Sequence, residues 1–152
     1  MSKFKIYFKS ILIPVLVGAL IGLITSNSLD YSSLIQPPFA PPSFLFPIVW
    51  TILYILMGVS YGIIKENNLL TPEIQKIYYS QLVVNALWSI FFFSLKWRLF
   101  AGFEIILLAL LIGIMISKFY RKNRLAAYLQ LPYLAWVLYA TYLNWSIYLL
   151  NK

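Results

Sequence analysis

Long apolar runs alternate with short charged clusters along this chain. Four runs contain no charged residue, and a fifth is interrupted only by Glu104. Because about 20 apolar residues in a helix span the hydrocarbon of a bilayer, each run predicts a membrane-crossing helix. We therefore predict an all-α integral membrane protein, a five-helix transmembrane bundle forming one domain over residues 1–152. The helices are predicted at residues 6–26, 44–64, 73–95, 99–119 and 125–150.

The composition favours a membrane protein over a soluble one. The chain is 62% hydrophobic and 11% charged, against about 45–50% and about 25% in soluble domains. The net charge of +8 comes from basic residues at the ends of apolar segments, where they anchor helices, so we expect no nucleic-acid binding. The absence of Cys and His excludes disulfides, zinc sites of the usual kind, and haem ligation by those residues.

The distribution of Lys and Arg predicts an orientation. Nine lie on one side of the predicted bundle, at the N-terminus and in the 2–3 and 4–5 loops, and three lie on the other. Because cytoplasmic loops carry the excess of basic residues, we expect a cytoplasmic N-terminus and an extracytoplasmic C-terminus. The predicted location is the cell membrane, crossed several times.

The connection between the first two helices is the longest. Its segment 36–42 contains four of the eight prolines, which favour a stiff, extended backbone. Carrying Tyr31 and Phe39, it either folds over the mouth of the bundle as a lid or remains a solvated connector. Ser43 precedes an apolar run and is expected to cap helix 2.

Three predicted helices each have a face that mixes aromatic with small or amide side chains. Such faces can converge on an internal cavity for a planar, mostly apolar ligand. Alternatively, the aromatics form interfacial belts and the amides join helices, which is our preferred interpretation for Trp97 and Trp145. The faces comprise Trp50, Tyr54, Met57 or Gly58, and Tyr61; Gln81, Asn85, Trp88 and Phe92; and Trp136, Ala140, Asn144 and Ile147.

Other residues predict features of the backbone and its packing. Pro132 is expected to bend helix 5, because it leaves a carbonyl without its usual partner. The glycine pairs at positions 18 and 22 and at 58 and 62 allow close approach, in the bundle or in a dimer. Glu104 lies near the start of helix 4, from which it can reach headgroups or a partner helix.

Three stretches together resemble the TspO/MBR family of translocator and tryptophan-rich sensory proteins. They are residues 36–54, 85–93 and 132–144, on predicted helices 2, 3 and 5 and the loop before helix 2. The resemblance implies a usually dimeric five-helix bundle that binds porphyrins such as protoporphyrin IX or haem, and some benzodiazepine drugs, beneath the proline-rich lid. The ligand-binding residues it implies are Trp50, Asn85, Trp88, Trp136, Ala140 and Asn144. To these we add Tyr54 from the aromatic face of helix 2, and Tyr31 and Phe39 from the loop before it.

The chain departs from the family pattern at Asp30, Phe39 and Leu149, and the last change weakens the case for a sterol site. The leading hypothesis is a membrane sensor or receptor for tetrapyrroles, with porphyrin as ligand and no required cofactor. A second is light-dependent porphyrin degradation in which Trp50 and Trp136 react. A third is transport of tetrapyrroles or sterols.

Overall fold

The computed structural model describes residues 2–25 and 33–152, so Asp30 and Tyr31 lie outside the described residues. Within them the regular secondary structure is helical, and each predicted span corresponds to a helix or a pair of helices. The helices are α1 (Lys3–Thr25), α2 (Leu45–Glu66), α3 (Pro72–Ser89), α4 (Arg98–Lys122), α5 (Arg124–Tyr128) and α6 (Leu131–Asn151).

The described helices match a membrane bundle. Four are long and apolar enough to cross a bilayer: α1, α2, α3 with its extension to Ser94, and α4. The fifth long helix, α6, has 21 residues and is less apolar because Tyr, Trp and Asn occupy many of its positions. The prediction of an all-α, five-helix membrane protein is confirmed.

Close contact between α1 and α2 depends on a glycine of α2. A Cβ added at Gly58 would lie 2.4 Å from the Cα atom of Ile11 and 2.6 Å from the carbonyl oxygen of Ser10. These are backbone atoms, so α1 could not stay in place beside a larger residue. At Gly62 the added Cβ would meet the ring of Tyr7 at 2.7 Å. The second glycine pair is therefore used for packing inside the bundle.

The predicted cap of α2 is wrong. The helix begins after Phe44, and no side chain caps it. The entering chain instead forms backbone bonds, from the Leu45 N–H to the Pro42 carbonyl at 3.1 Å and from the Phe46 N–H to the Ser43 carbonyl at 3.3 Å. Because these tight turns already bond the first amides, the Ser43 hydroxyl has no capping role.

The prediction of one helix over residues 125–150 is also wrong. The helix stops at Tyr128 and a new one starts at Leu131. Pro132 lies in the first turn of α6, where its missing N–H leaves no helical bond unmade. Pro132 therefore begins a helix rather than bending one. The Ser60 hydroxyl stabilises the short α5, since it donates to the Ala126 carbonyl at 2.6 Å.

The end of the third span is a π-helical turn that the sequence pattern did not reveal. It covers Ile90–Ser94, and the Leu95 N–H donates to the Ile90 carbonyl at 2.9 Å. The wider turn changes the helical register. As a result both Phe92 and Phe93 are buried, at 2% and 5% exposure.

Candidate functional site

Trp50 of α2 is the centre of an aromatic cluster built from three helices. Its ring centroid lies 5.8 Å from that of Tyr54 and 6.4 Å from those of Trp88 of α3, Tyr133 of α6 and Trp136 of α6. The planes of Trp50 and Trp136 are almost perpendicular, at 89°. Edge-to-face packing of this kind is favourable for aromatic rings. Because the rings differ in orientation, the cluster has both ring faces and ring edges available for contact with a ligand.

Further aromatic rings extend the cluster toward the start of α2 and the π-helical turn. Phe46 lies 6.0 Å from both Trp136 and Phe93, in edge-to-face arrangements. Trp88 stacks on Phe92 with centroids 5.2 Å apart. The π-helical turn thus supplies two rings of the cluster.

Buried polar side chains continue from the cluster into the bundle. The Tyr54 hydroxyl donates to Oδ1 of Asn85, Nδ2 of Asn85 donates to the Tyr133 hydroxyl, and that hydroxyl donates to Oε1 of Gln81, each at 2.7 Å. All four side chains are at most 5% exposed. The chain of bonds joins α2, α3 and α6, and it makes Asn85 and Gln81 helix-joining residues.

Asn144 also bonds to protein groups. Its Oδ1 accepts from the Trp88 indole N–H and its Nδ2 donates to the Arg98 carbonyl, both at 2.8 Å. These bonds connect α6 to α3 and to the start of α4. One turn earlier on α6, Ala140 is buried at 1% exposure. Asn144 and Ala140 therefore lie inside the packed bundle.

A cavity of about 390 Å³ adjoins the cluster between α1, α2 and the end of α3. Trp50 and Tyr54 line one side. The α1 side contains small residues, and a Cβ added at Gly22 would meet nothing within 4 Å. Most of the wall is apolar, with a few hydroxyl groups. It is lined by Val15, Gly18, Ala19, Ile21, Gly22, Thr25, Phe46, Pro47, Trp50, Thr51, Tyr54, Ser89 and Phe93.

A second hollow lies on the other side of the cluster, between α2 and α6. This groove measures about 440 Å³ and includes Trp136, Val49 and Leu53 in its wall. The indole nitrogen of Trp136 is buried and has no hydrogen-bond partner among the described residues. The paired rings of Trp50 and Trp136 thus lie between the cavity and the groove.

The loop before α2 is fastened to α6 beside the cluster. The hydroxyl of Tyr139 donates to the Phe39 carbonyl, and that of Tyr142 donates to the Pro38 carbonyl at 2.9 Å. The Asn151 amide both accepts from the Ile35 N–H, at 2.9 Å, and donates to the Ile35 carbonyl, at 2.8 Å. The described part of the loop is therefore held against the bundle, unlike a free solvated connector.

The structure describes one of the two loop residues that were predicted to bind the ligand. The Phe39 side chain is 90% exposed and its backbone has φ of 66°, so its carbonyl faces Tyr139 while its ring points away from the cluster. Tyr31 lies outside the described residues. Phe39 is therefore the one of the two that the structure describes, and it contacts the bundle through its backbone carbonyl instead of its ring.

Sequence reasoning missed several members of the cluster. Tyr133 and Phe46 each contact one of the central tryptophans, and Gly18 contributes to the cavity. A signal existed for Tyr133, which lies three residues before Trp136 on the same helical stripe. Gly18 was noted only as part of a glycine pair that allows close approach of helices, and nothing in the sequence of α1 indicated that it lines a cavity.

The two tryptophans assigned to interfacial belts lie outside the cluster. Trp97 is 54% exposed, and the Trp145 indole N–H donates to the Gly102 carbonyl at 3.1 Å. The carboxylate oxygens of Glu104 are buried and have no hydrogen-bond partner among the described residues. Glu104 therefore does not extend to the headgroups.

Comparison with known proteins gives a consistent result. The model of the TspO/MBR family matches residues 10–150. The tryptophan-rich protein TspO of Archaeoglobus fulgidus is 37% identical, over 93% of this chain and 94% of its own. A translocator protein homolog of Schizosaccharomyces pombe is 32% identical over 97% of this chain and 93% of its own. The human translocator protein is 31% identical over 78% of this chain and 72% of its own. The chain therefore belongs to the TspO/MBR family.

Proposed function

We propose that this protein is a membrane receptor that binds porphyrins and similar flat hydrophobic ligands at the cluster around Trp50 and Trp136. The observation that supports this most directly is the placement of the two perpendicular rings between the cavity and the groove. Flat ring faces next to apolar space suit a planar ligand, and indole N–H groups supply the few polar contacts that orient it. The unpartnered indole nitrogen of Trp136 is one such donor.

The residues of the proposed site have two roles. Trp50, Tyr54, Trp88 and Trp136 contact the ligand, and the small, buried Ala140 lets α6 pack closely behind these rings. Asn85 and Asn144 hold the helices that carry these rings, and the described part of the loop, which includes Phe39, covers the site. The ligand is not a resident cofactor, and binding needs no catalytic group.

The size of the cavity bears on how a tetrapyrrole enters. About 390 Å³ is near the small end of ligand sites, which measure roughly 300–1,000 Å³. A tetrapyrrole ring therefore needs more space than the cavity alone provides. Rotation of the Trp50 ring toward the groove supplies that space. We propose that binding rearranges these rings beneath the fastened loop.

The family names of relatives agree with a receptor role. A relative from Cereibacter sphaeroides, 31% identical over 80% of this chain, is named a tryptophan-rich sensory protein.

We further propose that the protein is a homodimer in the cell membrane, with its N-terminus cytoplasmic and its C-terminus extracytoplasmic. The excess of Lys and Arg on the N-terminal side supports this orientation.

Titration of the detergent-purified protein with protoporphyrin IX in the dark tests the proposal, with tryptophan fluorescence as the readout. We expect saturable quenching, with a Kd raised about 2- to 10-fold in Trp50→Phe and in Trp136→Phe, because each loses about 0.5–1.5 kcal/mol of ring contact. Trp97→Phe is the matched control and should leave the Kd unchanged. Quenching that does not saturate, or equal Kd values in all four proteins, would refute the site.

A further inference from the structure

A groove of about 480 Å³ lies where the third span gives way to α4, next to the end of α6. We propose that it binds the headgroup of an anionic phospholipid. This site is separate from the aromatic cluster and does not depend on the function proposed there. The groove is lined by Lys96, Trp97, Arg98, Leu99, Phe100, Tyr148, Asn151 and Lys152.

The charge of the groove suits an anion. Three of its eight lining residues are basic. Two of the four acidic residues of the chain are engaged elsewhere, since Glu66 pairs with Lys3 at 3.6 Å and Glu73 pairs with Lys118 at 3.3 Å. The Glu104 carboxylate is buried. The lining of the groove itself has three basic side chains and no acidic side chain.

The groove lies at the depth in the membrane at which lipid headgroups are found. It lies at the start of α4, whose following residues are apolar enough to cross the bilayer, so its basic residues are at a membrane surface. Trp97 stacks on Phe91 with centroids 5.8 Å apart and planes at 9°, and Arg98 lies over Phe92 at 5.1 Å. Aromatic and basic side chains together are typical of the headgroup region.

An apolar track leads from the groove along α4. Phe103, Leu107, Leu110 and Ile114 recur every three or four residues and are 62%, 48%, 62% and 47% exposed. A helix face of this kind can accommodate an acyl chain. A phosphate with acyl chains attached can contact the basic groove and this track at once, whereas a free phosphate can use only the groove. This continuity favours a phospholipid.

Quenching by brominated lipids can test the site, because Trp97 lies in the groove. The protein is reconstituted into vesicles with phosphatidylglycerol or phosphatidylcholine brominated near the glycerol, at equal mole fractions. The quenching that Trp97→Phe abolishes is assigned to Trp97. We expect this part to be about twofold or more stronger with phosphatidylglycerol, and the preference to fall as salt is raised.

The key variant is Lys96→Gln with Lys152→Gln, which leaves Arg98 in place because it packs on Phe92. The preference for phosphatidylglycerol should disappear in this variant. The control, Lys76→Gln with Lys122→Gln, removes the same charge at the opposite end of the bundle and should retain it. Equal quenching by both lipids in the unaltered protein would overturn the proposal, as would loss of the preference in the control. Displacement of the preference by millimolar glycerol phosphate would indicate a free-phosphate site and would also overturn it.

Discussion

The indole N–H of Trp88 donates to Oδ1 of Asn144 at 2.8 Å, joining α3 to α6 inside the bundle. The same asparagine donates to the Arg98 carbonyl. One side chain thus holds three helices around the aromatic cluster. The Asn144 amide is fully buried between these helices.

Replacing this asparagine should destabilise the fold. Asn144→Leu leaves the buried Trp88 N–H without its acceptor, and a buried unpaired donor costs ~1–3 kcal/mol. We expect a lower midpoint when the detergent-solubilised protein is unfolded with dodecyl sulfate, followed by circular dichroism. Gln75→Leu, an exposed change in α3, serves as control. An unchanged midpoint for Asn144→Leu would contradict the role assigned here.

Two glycines should respond in opposite directions to the same substitution. Gly58→Ala places a Cβ 2.4 Å from the Ile11 Cα atom and should cost ~1–3 kcal/mol as α1 is displaced. Gly113→Ala meets nothing within 4 Å and should stabilise α4 by ~0.5–1 kcal/mol, since glycine weakens helices. The same unfolding assay measures both. Equal effects of the two changes would show that α1 does not pack on Gly58 in the membrane.

Release of the loop before α2 should be visible by hydrogen exchange. In Asn151→Leu the Ile35 amide loses its acceptor, and a loss of ~1 kcal/mol corresponds to about fivefold faster exchange. We expect this change at Ile35 by mass spectrometry, with the helices unaffected. Asn67→Leu, whose amide donates to the Ile63 carbonyl at 2.7 Å, should leave Ile35 unchanged. Unaltered exchange at Ile35 in Asn151→Leu would mean that the loop is held by other contacts.

Illumination separates binding from porphyrin breakdown. A bound porphyrin should keep its absorption spectrum in the dark, because the described side chains that pack on Trp50 are aromatic and include no carboxylate or amine to act as a general base. Loss of absorption in light and oxygen that slows about tenfold in Trp50→Phe and Trp136→Phe would reveal photochemistry in addition to binding. Loss at equal rates in the dark would contradict both ideas and point to a different chemistry.

Much of the architecture was predictable because the bilayer imposes it. A segment that crosses hydrocarbon must satisfy its backbone internally and be apolar along its length, so composition alone marks it. Helix 5 was the exception, since its apolar run passes through two helices. Pro132 itself was a local signal for the break, because proline is favoured in the first turn of a helix. The contact from Ser60 of α2 to the Ala126 carbonyl, 66 residues away, had no local signal.

The candidate site was predictable only in part. The spacing of Trp50, Asn85 and Trp136 placed them on inward faces, because residues three or four apart share one side of a helix. The same spacing left open whether the amides bond to a ligand or to protein. The structure shows Asn85 bonded to Tyr54 and Tyr133, an outcome that depends on how the three helices are rotated against each other.

By itself the sequence determined the membrane class, the five spans and the inward faces, since these follow from hydrophobicity and helical periodicity within single segments. The tertiary structure decided the cavity beside α1, the perpendicular rings of Trp50 and Trp136, and the fastening of the loop to α6. Each of these joins segments that are far apart in the chain. The distances between these segments are set by side-chain packing between helices, and such packing leaves no periodic pattern in the sequence of a single helix.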